Sequence, residues 1–340
     1  MKPLRERVTG PEVRIPHDTA EVSWRTITEA DFDALHELER EVSAADHPHY
    51  VVSREEIAED FEMSFFDAAT DSLLAQAADG TVLAYGIVFV PPGQETLVRS
   101  ILPGAVRPDA RGRGLGRQLF EWQVARGIQT LAASDKPLPG WLMTFVSDGV
   151  DDAARLFTRF GLTIRRYFLE LRHDVRELPD APLDDTVSLV PFSADHSEAT
   201  RVARNDAFRD HWGSQPTDRE GWDAFVGRSI MRPDLSCLAI GTRDGVTEVA
   251  GMVLVSVNPE DWEGTGFSSA YIDLVGVRRQ WRGRGLATAM LARSLRLIAA
   301  DGLDKAVLDV DAESPTGALG LYTSLGFAEA TRSMSWVREF

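Results

Sequence analysis

The run Arg282-Gly283-Arg284-Gly285-Leu286-Ala287-Thr288 brings together the residue types from which a chain builds an anion site. Its glycines let the backbone approach a ligand closely, and Ala287 to Ala300, stopping at Gly302, is patterned as a helix. The first N–H groups of a helix have no internal acceptors, and its dipole favours negative charge there. Ahead of the run stands Tyr271-Ile272-Asp273-Leu274-Val275-Gly276-Val277, apolar and aromatic enough to read as a strand. Strand, glycine loop and helix in that order suit a phosphate or pyrophosphate. A P-loop is excluded because no Gly-Lys-Ser/Thr closes the run, and the dinucleotide spacing is excluded because Thr288 follows Ala287 where a third glycine belongs. By itself an Arg/Gly run is equally a solvated turn.

Downstream, Lys305 to Val310 reads as a second strand. Ser314 to Phe327 then reads as a polar turn, a short helix carrying Leu321-Tyr322, and a Gly326-Phe327 stop. Arg282-x-x-Gly285-x-Ala287 after a strand ending at Val277, followed by this strand and tyrosine helix, resembles the GNAT superfamily of acetyl-CoA-dependent N-acetyltransferases. The resemblance implies acetyl-CoA as cosubstrate, no metal, and direct transfer to an amine through a tetrahedral intermediate. It implies that Arg282, Gly283, Arg284, Gly285, Leu286, Ala287 and Thr288, with Ser314 and Ala318, hold the cofactor. Pantetheine would pair along Leu274, Val275, Gly276 and Val277, and Tyr322 would be the general acid for the departing thiolate. Such folds are α/β, each a twisted mixed sheet flanked by helices with a splayed central strand pair.

The positioning elements occur twice. Val106 leads into Arg111-Gly112-Arg113-Gly114-Leu115-Gly116, a second candidate cofactor site, with a helix expected from Arg117 to about Gly127. Leu142 to Val146 reads as a strand, and Leu156 to Leu162 as the second helix with its stop. Asp31 and Asp195, Gly86 and Gly251, Arg111 and Arg282, and Gly161 and Gly326 are separated by 164, 165, 171 and 165 residues. One nearly constant offset across four positions marks a tandem duplication. The expected division is an arm over residues 1–22, a first domain over 23–174, a Pro/Asp-rich linker over 175–186 and a second domain over 187–340. Strands are also expected at Val22 to Ile27 and Val82 to Val90, with a helix from Ala30 to Leu38.

The copies differ where chemistry is expected. Phe157 stands four residues before Gly161, where the second copy has Tyr322 before Gly326, and Phe157 has no proton to give. Pro103, counterpart of Leu274, removes a backbone donor from the first strand. The C-terminal half is therefore the expected catalytic one. The resemblance places a glutamate at the position of Tyr271 in several enzymes, so Asp273, two residues on and on the same strand face, is the substitute candidate for general base. A structural ion pair is its alternative. Tyr271, His211, Trp212, Trp262 and Glu263 are candidates for contact with the acceptor, the last two in an expected hairpin loop, Asn258 to Glu263. Asn205 to Gly213 resembles a segment of tandem GNAT proteins that include mycothiol synthases, whose pattern is His-Pro-Glu-Gln where this chain has His211-Trp212-Gly213-Ser214.

Composition narrows the partners. The chain has 340 residues, 44% hydrophobic and 26% charged, with formal net charge −17. Such a field repels nucleic acid and anionic membrane and suits a small cationic amine. No apolar run is long enough to span a membrane, no signal peptide is evident, and the single Cys237 fits a reducing cytoplasm. In its apolar strand, Cys237 reads as a buried structural thiol rather than a nucleophile. His47 and His49 lack further ligands at metal-site spacing and read as a solvated loop. The expected function is N-acetylation of a primary amine by a cytoplasmic monomer or homodimer. The alternatives are a mycothiol-synthase-like acetylation, an antibiotic or protein acetylase, and a non-catalytic acyl-CoA sensor or scaffold.

Overall fold

The computed structural model describes residues 1–179, 181 and 186–340. They form two compact units, Met1–Arg166 with Ser333–Phe340, and Tyr167–Arg332. Among the described residues no helix is long and apolar enough to cross a membrane.

The first unit opens with α1 (Leu4–Arg7), β1 (Val22–Arg25), α2 (Phe32–Asp46), α3 (Arg54–Glu62) and α4 (Ala68–Asp71). Then come β2 (Ser72–Ala77), β3 (Val82–Ile87), β4 (Val98–Ile101), β5 (Gly104–Val106), α5 (Leu115–Ala133), β6 (Gly140–Ser147), α6 (Asp151–Arg159) and the start of β7 (Thr163–Asp174). Strands pair in the order β1-β2-β3-β5, while β4 lies parallel to β6. Within the expected arm, Leu4 is fully buried and α1 packs on α5. α5 runs past Gly127, which is not a stop. A Cβ there would come within 2.6 Å of Leu142 Cδ2 and 2.9 Å of Ser100 Oγ, so this glycine permits close helix–sheet approach.

The second unit continues β7 into β8 (Val187–Pro191), α7 (Ser197–Ala207), α8 (Arg219–Gly227), β9 (Cys237–Arg243), β10 (Val246–Ser256) and α9 (Asp261–Thr265). It ends with β11 (Ser269–Val277), α10 (Leu286–Ala300), β12 (Lys305–Asp311), α11 (Ala318–Ser324) and the start of β13 (Ala328–Glu339). Its strand order is β7-β12-β11-β10-β9-β8, with only β11 and β12 parallel. One face buries Leu169, Leu171, Ile272, Leu308 and Val310 with α10 and Tyr322; the other buries Leu238, Met252 and Leu254 with Trp222 of α8 and Ala203 of α7. The expected hairpin loop at Asn258 to Glu263 is partly α9.

The compact units differ from the expected segments 23–174 and 187–340. Phe168–Asp174 of β7 pairs with β12 in the second unit, and Ser333–Glu339 of β13 pairs with β6 in the first. Duplication explains this. β7 and β13 are equivalent twelve-residue strands, so each offers the other copy the same edge, as in domain swapping. Of the expected linker, residues 180 and 182–185 lie outside the described residues, while Val175 at its start is buried in the second unit. One sequence landmark also shifts: Val106 pairs with Ala84 and Val277 with Gly251, so Gly86 is not the structural counterpart of Gly251.

Trp336 of β13, 6% exposed, belongs to the first unit's core, edge-to-face with Phe157 at 5.8 Å. Trp336→Ala should cost about 3–5 kcal/mol. Hydrogen exchange should then quicken along β6 and not along β12; faster exchange confined to β12 would contradict the exchanged pairing.

Candidate functional site

The second unit contains a fork. β11 and β12 pair at Ser269↔Lys305, Ala270↔Ala306 and Tyr271↔Val307, and their ladder then ends. β11 stays bonded to β10 as far as Val277↔Gly251, and β12 stays bonded to β7 as far as Asp311↔Phe168. A bulge lies at the branch, where Val255 faces Ile272 and Leu254 faces Leu274, leaving Asp273 as the extra residue. Bulges sharpen strand twist, which turns β11 away from its parallel neighbour. Leu274, Val275, Gly276 and Val277 thus lie along a strand that is laddered on its β10 side only.

The bulge falls at Asp273 itself. Ala270 and Ile272 pack into the α10 face before the bulge, and Val275 and Val277 after it, while Leu274 packs into the α7/α8 face. The alternation resets at Asp273, so its face does not follow from a two-residue spacing alone.

The loop adopts the glycine conformation its sequence requires. Gly283 and Gly285 have φ of +78° and +74°, and Gly112 and Gly114 of the first unit +76° and +87°. A Cβ at Gly283, Gly285 or Gly112 meets nothing within 4 Å, so the demand is conformational rather than steric. The arginines that open the two loops are anchors. Arg282 donates from Nε to the Val277 carbonyl (3.2 Å), from Nη1 to Asp210 (3.0 Å) and from Nη2 to the Ala207 carbonyl (2.9 Å). Arg111 donates to the Val106 carbonyl (3.1 Å) and holds Asp46 through two bonds of 2.8 Å. Arg279 also binds Asp210, and Arg279 first and Arg282 second hold that carboxyl below its ordinary range. What the second loop presents outward is the unshared N–H groups of its helix start, together with Arg284, stacked over Trp281 at 4.8 Å. Nε1 of the buried Trp281 donates to Glu248 (2.8 Å). Asp46 and Asp210, missed from the sequence, lie 65 and 72 residues from their arginines, too far for any local signal.

Tyr322 sits on α11 against β12, 7% exposed, with its ring 5.9 Å from Phe327. Burial alone pushes its phenol up to about 12. Ser314 and Ala318 flank the Gly317 turn (φ +71°) that starts α11. In the first unit Phe157 is buried among Phe120 and Trp336. Leu102 and Pro103 interrupt the strand between β4 and β5, and the buried Gln123 amide satisfies the carbonyls of Pro103 (2.7 Å) and Ile87 (3.0 Å).

The acceptor candidates come from several elements. Tyr271 is at the fork, and its hydroxyl donates to Asp309 Oδ2 at 2.8 Å. His211 has its ring 6.4 Å from Phe168 of β7, and its Nδ1 is 3.1 Å from the Trp212 carbonyl. Trp262 is half-buried, packs against the α10 face and donates Nε1–H to the Ser269 carbonyl (3.2 Å). Glu263 is exposed on α9. Asp309 and Glu170 were not foreseen, because Glu170 belongs by sequence to the first copy's last strand. Among the described residues no cluster of His, Cys, Asp or Glu is arranged to hold a metal ion.

The sequence pattern of the Acetyltransferase (GNAT) family matches residues 198–327. A mycothiol acetyltransferase of Tsukamurella paurometabola is 31% identical over 265 residues, covering 74% of this chain and 81% of that protein. The chain belongs to the GNAT acetyltransferase family. It is an acyltransferase, and acetyltransferases of this family use acetyl-CoA. A GCN5-related N-acetyltransferase of known structure from Sphaerobacter thermophilus superposes with TM-score 0.68 at 26% identity, covering 94% of this chain and 95% of that one. A tandem GNAT protein from the clavulanic acid biosynthesis pathway shares the fold, with TM-score 0.68 at 17% identity over 94% of this chain and 98% of that one.

Acyl transfer through a cysteine would need an accessible thiolate. Cys237 is fully buried, and burial pushes its thiol up to about 12. Ellman's reagent at about pH 8 should leave the native protein unlabelled and react once guanidinium unfolds it. Rapid labelling of the native protein would contradict this burial.

Proposed function

We propose that the second unit catalyses acetyl-CoA-dependent N-acetylation of a primary amine on a small, cationic molecule. The observation that carries the reading is the contrast between the copies: the second has an unbroken β11 leading into the glycine loop and Tyr322 beside β12, while the first has Pro103 in its strand and Phe157 on its helix. The residues present fit acetyl-CoA. The loop Gly283–Thr288 would cradle the pyrophosphate with helix N–H groups, and Leu274–Val277 would offer pantetheine a strand edge. When bound, acetyl-CoA supplies an activated acyl group on sulfur.

Tyr322 would donate a proton, or a strengthening hydrogen bond, to the sulfur as its charge develops. A phenol at about 12 is a weak acid against a thiol in water, near 8.5. In a dry site the comparison changes, because burial raises thiol and phenol alike; Cys237 is driven to the same value. The formal net charge of −17 favours capture of a cationic acceptor.

A mycothiol precursor is the second reading for the acceptor, favoured by the 31% identity to a mycothiol acetyltransferase. His211-Trp212-Gly213-Ser214, which lacks the glutamate of the synthase pattern, weighs against it.

Tyr322→Phe should lower kcat at least about tenfold while changing KM little, because the hydrogen bond matters only as sulfur becomes anionic. Phe157→Tyr should create no second activity. Acetyl-CoA consumption with a panel of primary amines measures both, and a near-wild-type Tyr322→Phe enzyme would remove Tyr322 from the role of acid.

A further inference from the structure

On the sheet face opposite α10 and α11, the residues nearest the fork are Tyr271 on β11 and Asp309 on β12. Tyr271 is the last β11 residue paired to β12, and Asp309 lies two residues beyond Val307, its pairing partner. Leu308 and Val310 pack into the α10 face, so strand alternation points Asp309 the other way. The 2.8 Å hydrogen bond from the Tyr271 hydroxyl to Asp309 Oδ2 closes a pair across the branch point. Asp309 is exposed, so an acceptor can reach it.

The duplication supplies an internal control. Glu170 is the eighth residue of β7 and faces Asp309; Ser335 is the eighth residue of β13 and faces Phe145. By the same registers Ile101, paired with Met143 and bridged to Phe89, takes the place of Tyr271, which is paired with Val307 and with Ser256. The copy with Pro103 and Phe157 therefore carries Ile101 and Phe145 at the fork, and the copy with Tyr322 carries a tyrosine and a carboxylate.

We propose that Asp309, oriented by Tyr271, receives the acceptor's ammonium group and takes its proton before acetyl transfer. The inference rests on the N-acetyltransferase reading above. One N–H bond of the ammonium breaks, its proton passes to the Asp309 carboxylate and on to solvent, and the freed lone pair forms the C–N bond. As the C–S bond breaks, the sulfur keeps its electron pair and takes a proton from Tyr322. The proton that the nitrogen sheds in becoming an amide restores Tyr322.

The surroundings make Asp309 a stronger base than an ordinary carboxylate. Crowding by protein lifts the Asp309 carboxyl above its ordinary range, the Tyr271 hydrogen bond draws it back down, and Glu170 opposite raises it again. Other charged groups on this face are Arg172, bound to Glu170 at 2.6 Å, with Asp311 and Lys305 of β12; His211 lies beside Phe168. A carboxyl raised in this way is deprotonated only above its elevated pKa, so activity should fall as pH drops through that value.

The test uses the full chain, acetyl-CoA and a panel of glucosamine, putrescine and phenylethylamine, with pH profiles of kcat/KM for the best acceptor. Asp309→Asn should lower kcat at least about 100-fold, abolish the acidic limb and leave acetyl-CoA affinity unchanged. Asp309→Glu should recover part of the rate. Tyr271→Phe removes the bond that lowers the carboxyl, so its acidic limb should move to higher pH, a displacement that a merely structural role would not produce. If Asp309→Asn keeps its rate and its limb, or the limb survives there and vanishes in Asp273→Asn, the proposal is overturned. If the wild-type protein acetylates none of the three amines, the N-acetyltransferase reading falls and this one with it.

Discussion

A parallel strand pair that stops pairing after three residues is the constraint on which the second unit is built. Backbone N–H and C=O groups inside a protein must find partners, so parting two central strands is costly unless each is held elsewhere. Here β10 holds β11, β7 holds β12, and the bulge at Asp273 supplies the turn between them. The peptide groups left along Leu274 to Val277 are then available to a ligand that has amide groups of its own. The fork also joins the two sheet faces: Tyr322 lies on the α10/α11 side, and Tyr271 and Asp309 on the other. Thioester and amine would reach one gap from opposite directions.

The exchanged strands make that arrangement depend on both halves of the sequence. β7 comes from the first copy yet supports β12 in the second unit, and it carries Glu170 opposite Asp309. β13 returns the favour to β6 through Trp336 and Met334 in the first unit's core. The first copy has Phe157 and Pro103 where the second has Tyr322 and Leu274, and it still keeps its folded core. The first copy keeps the loop glycines and the Arg111–Asp46 anchor while filling its own break with Gln123. The loop anchors therefore belong to the fold as much as to the chemistry.

Local features were legible in the sequence and long-range pairings were not. The glycine loops and the helices after them are written in a few consecutive residues, where a left-handed φ has one meaning. The tandem repeat was legible for the same reason. The strand exchange was not, because two equivalent strands carry equivalent patterns and the sequence does not say which copy each will join. The bulge at Asp273 was not legible either, because a bulge depends on the neighbouring strand. Asp309 escaped notice because its partner Tyr271 lies 38 residues away, and only the register brings them together. The bond by which Trp262 braces the start of β11 was likewise not legible.

The central claim is that transfer takes place at the second fork and not the first. Gly285→Glu places a carboxylate at the start of α10, and Gly114→Glu does the same at α5; each glycine is left-handed, and an added Cβ meets nothing within 4 Å at Gly285 and only Gln118 Nε2, at 3.9 Å, at Gly114. Calorimetric titration of both folded variants with acetyl-CoA, alongside turnover, is the direct measurement. Gly285→Glu should weaken acetyl-CoA binding at least about tenfold, or 1.4 kcal/mol, and abolish turnover, while Gly114→Glu still turns over. Turnover that survives Gly285→Glu and disappears with Gly114→Glu would contradict this claim and move the chemistry to the first unit.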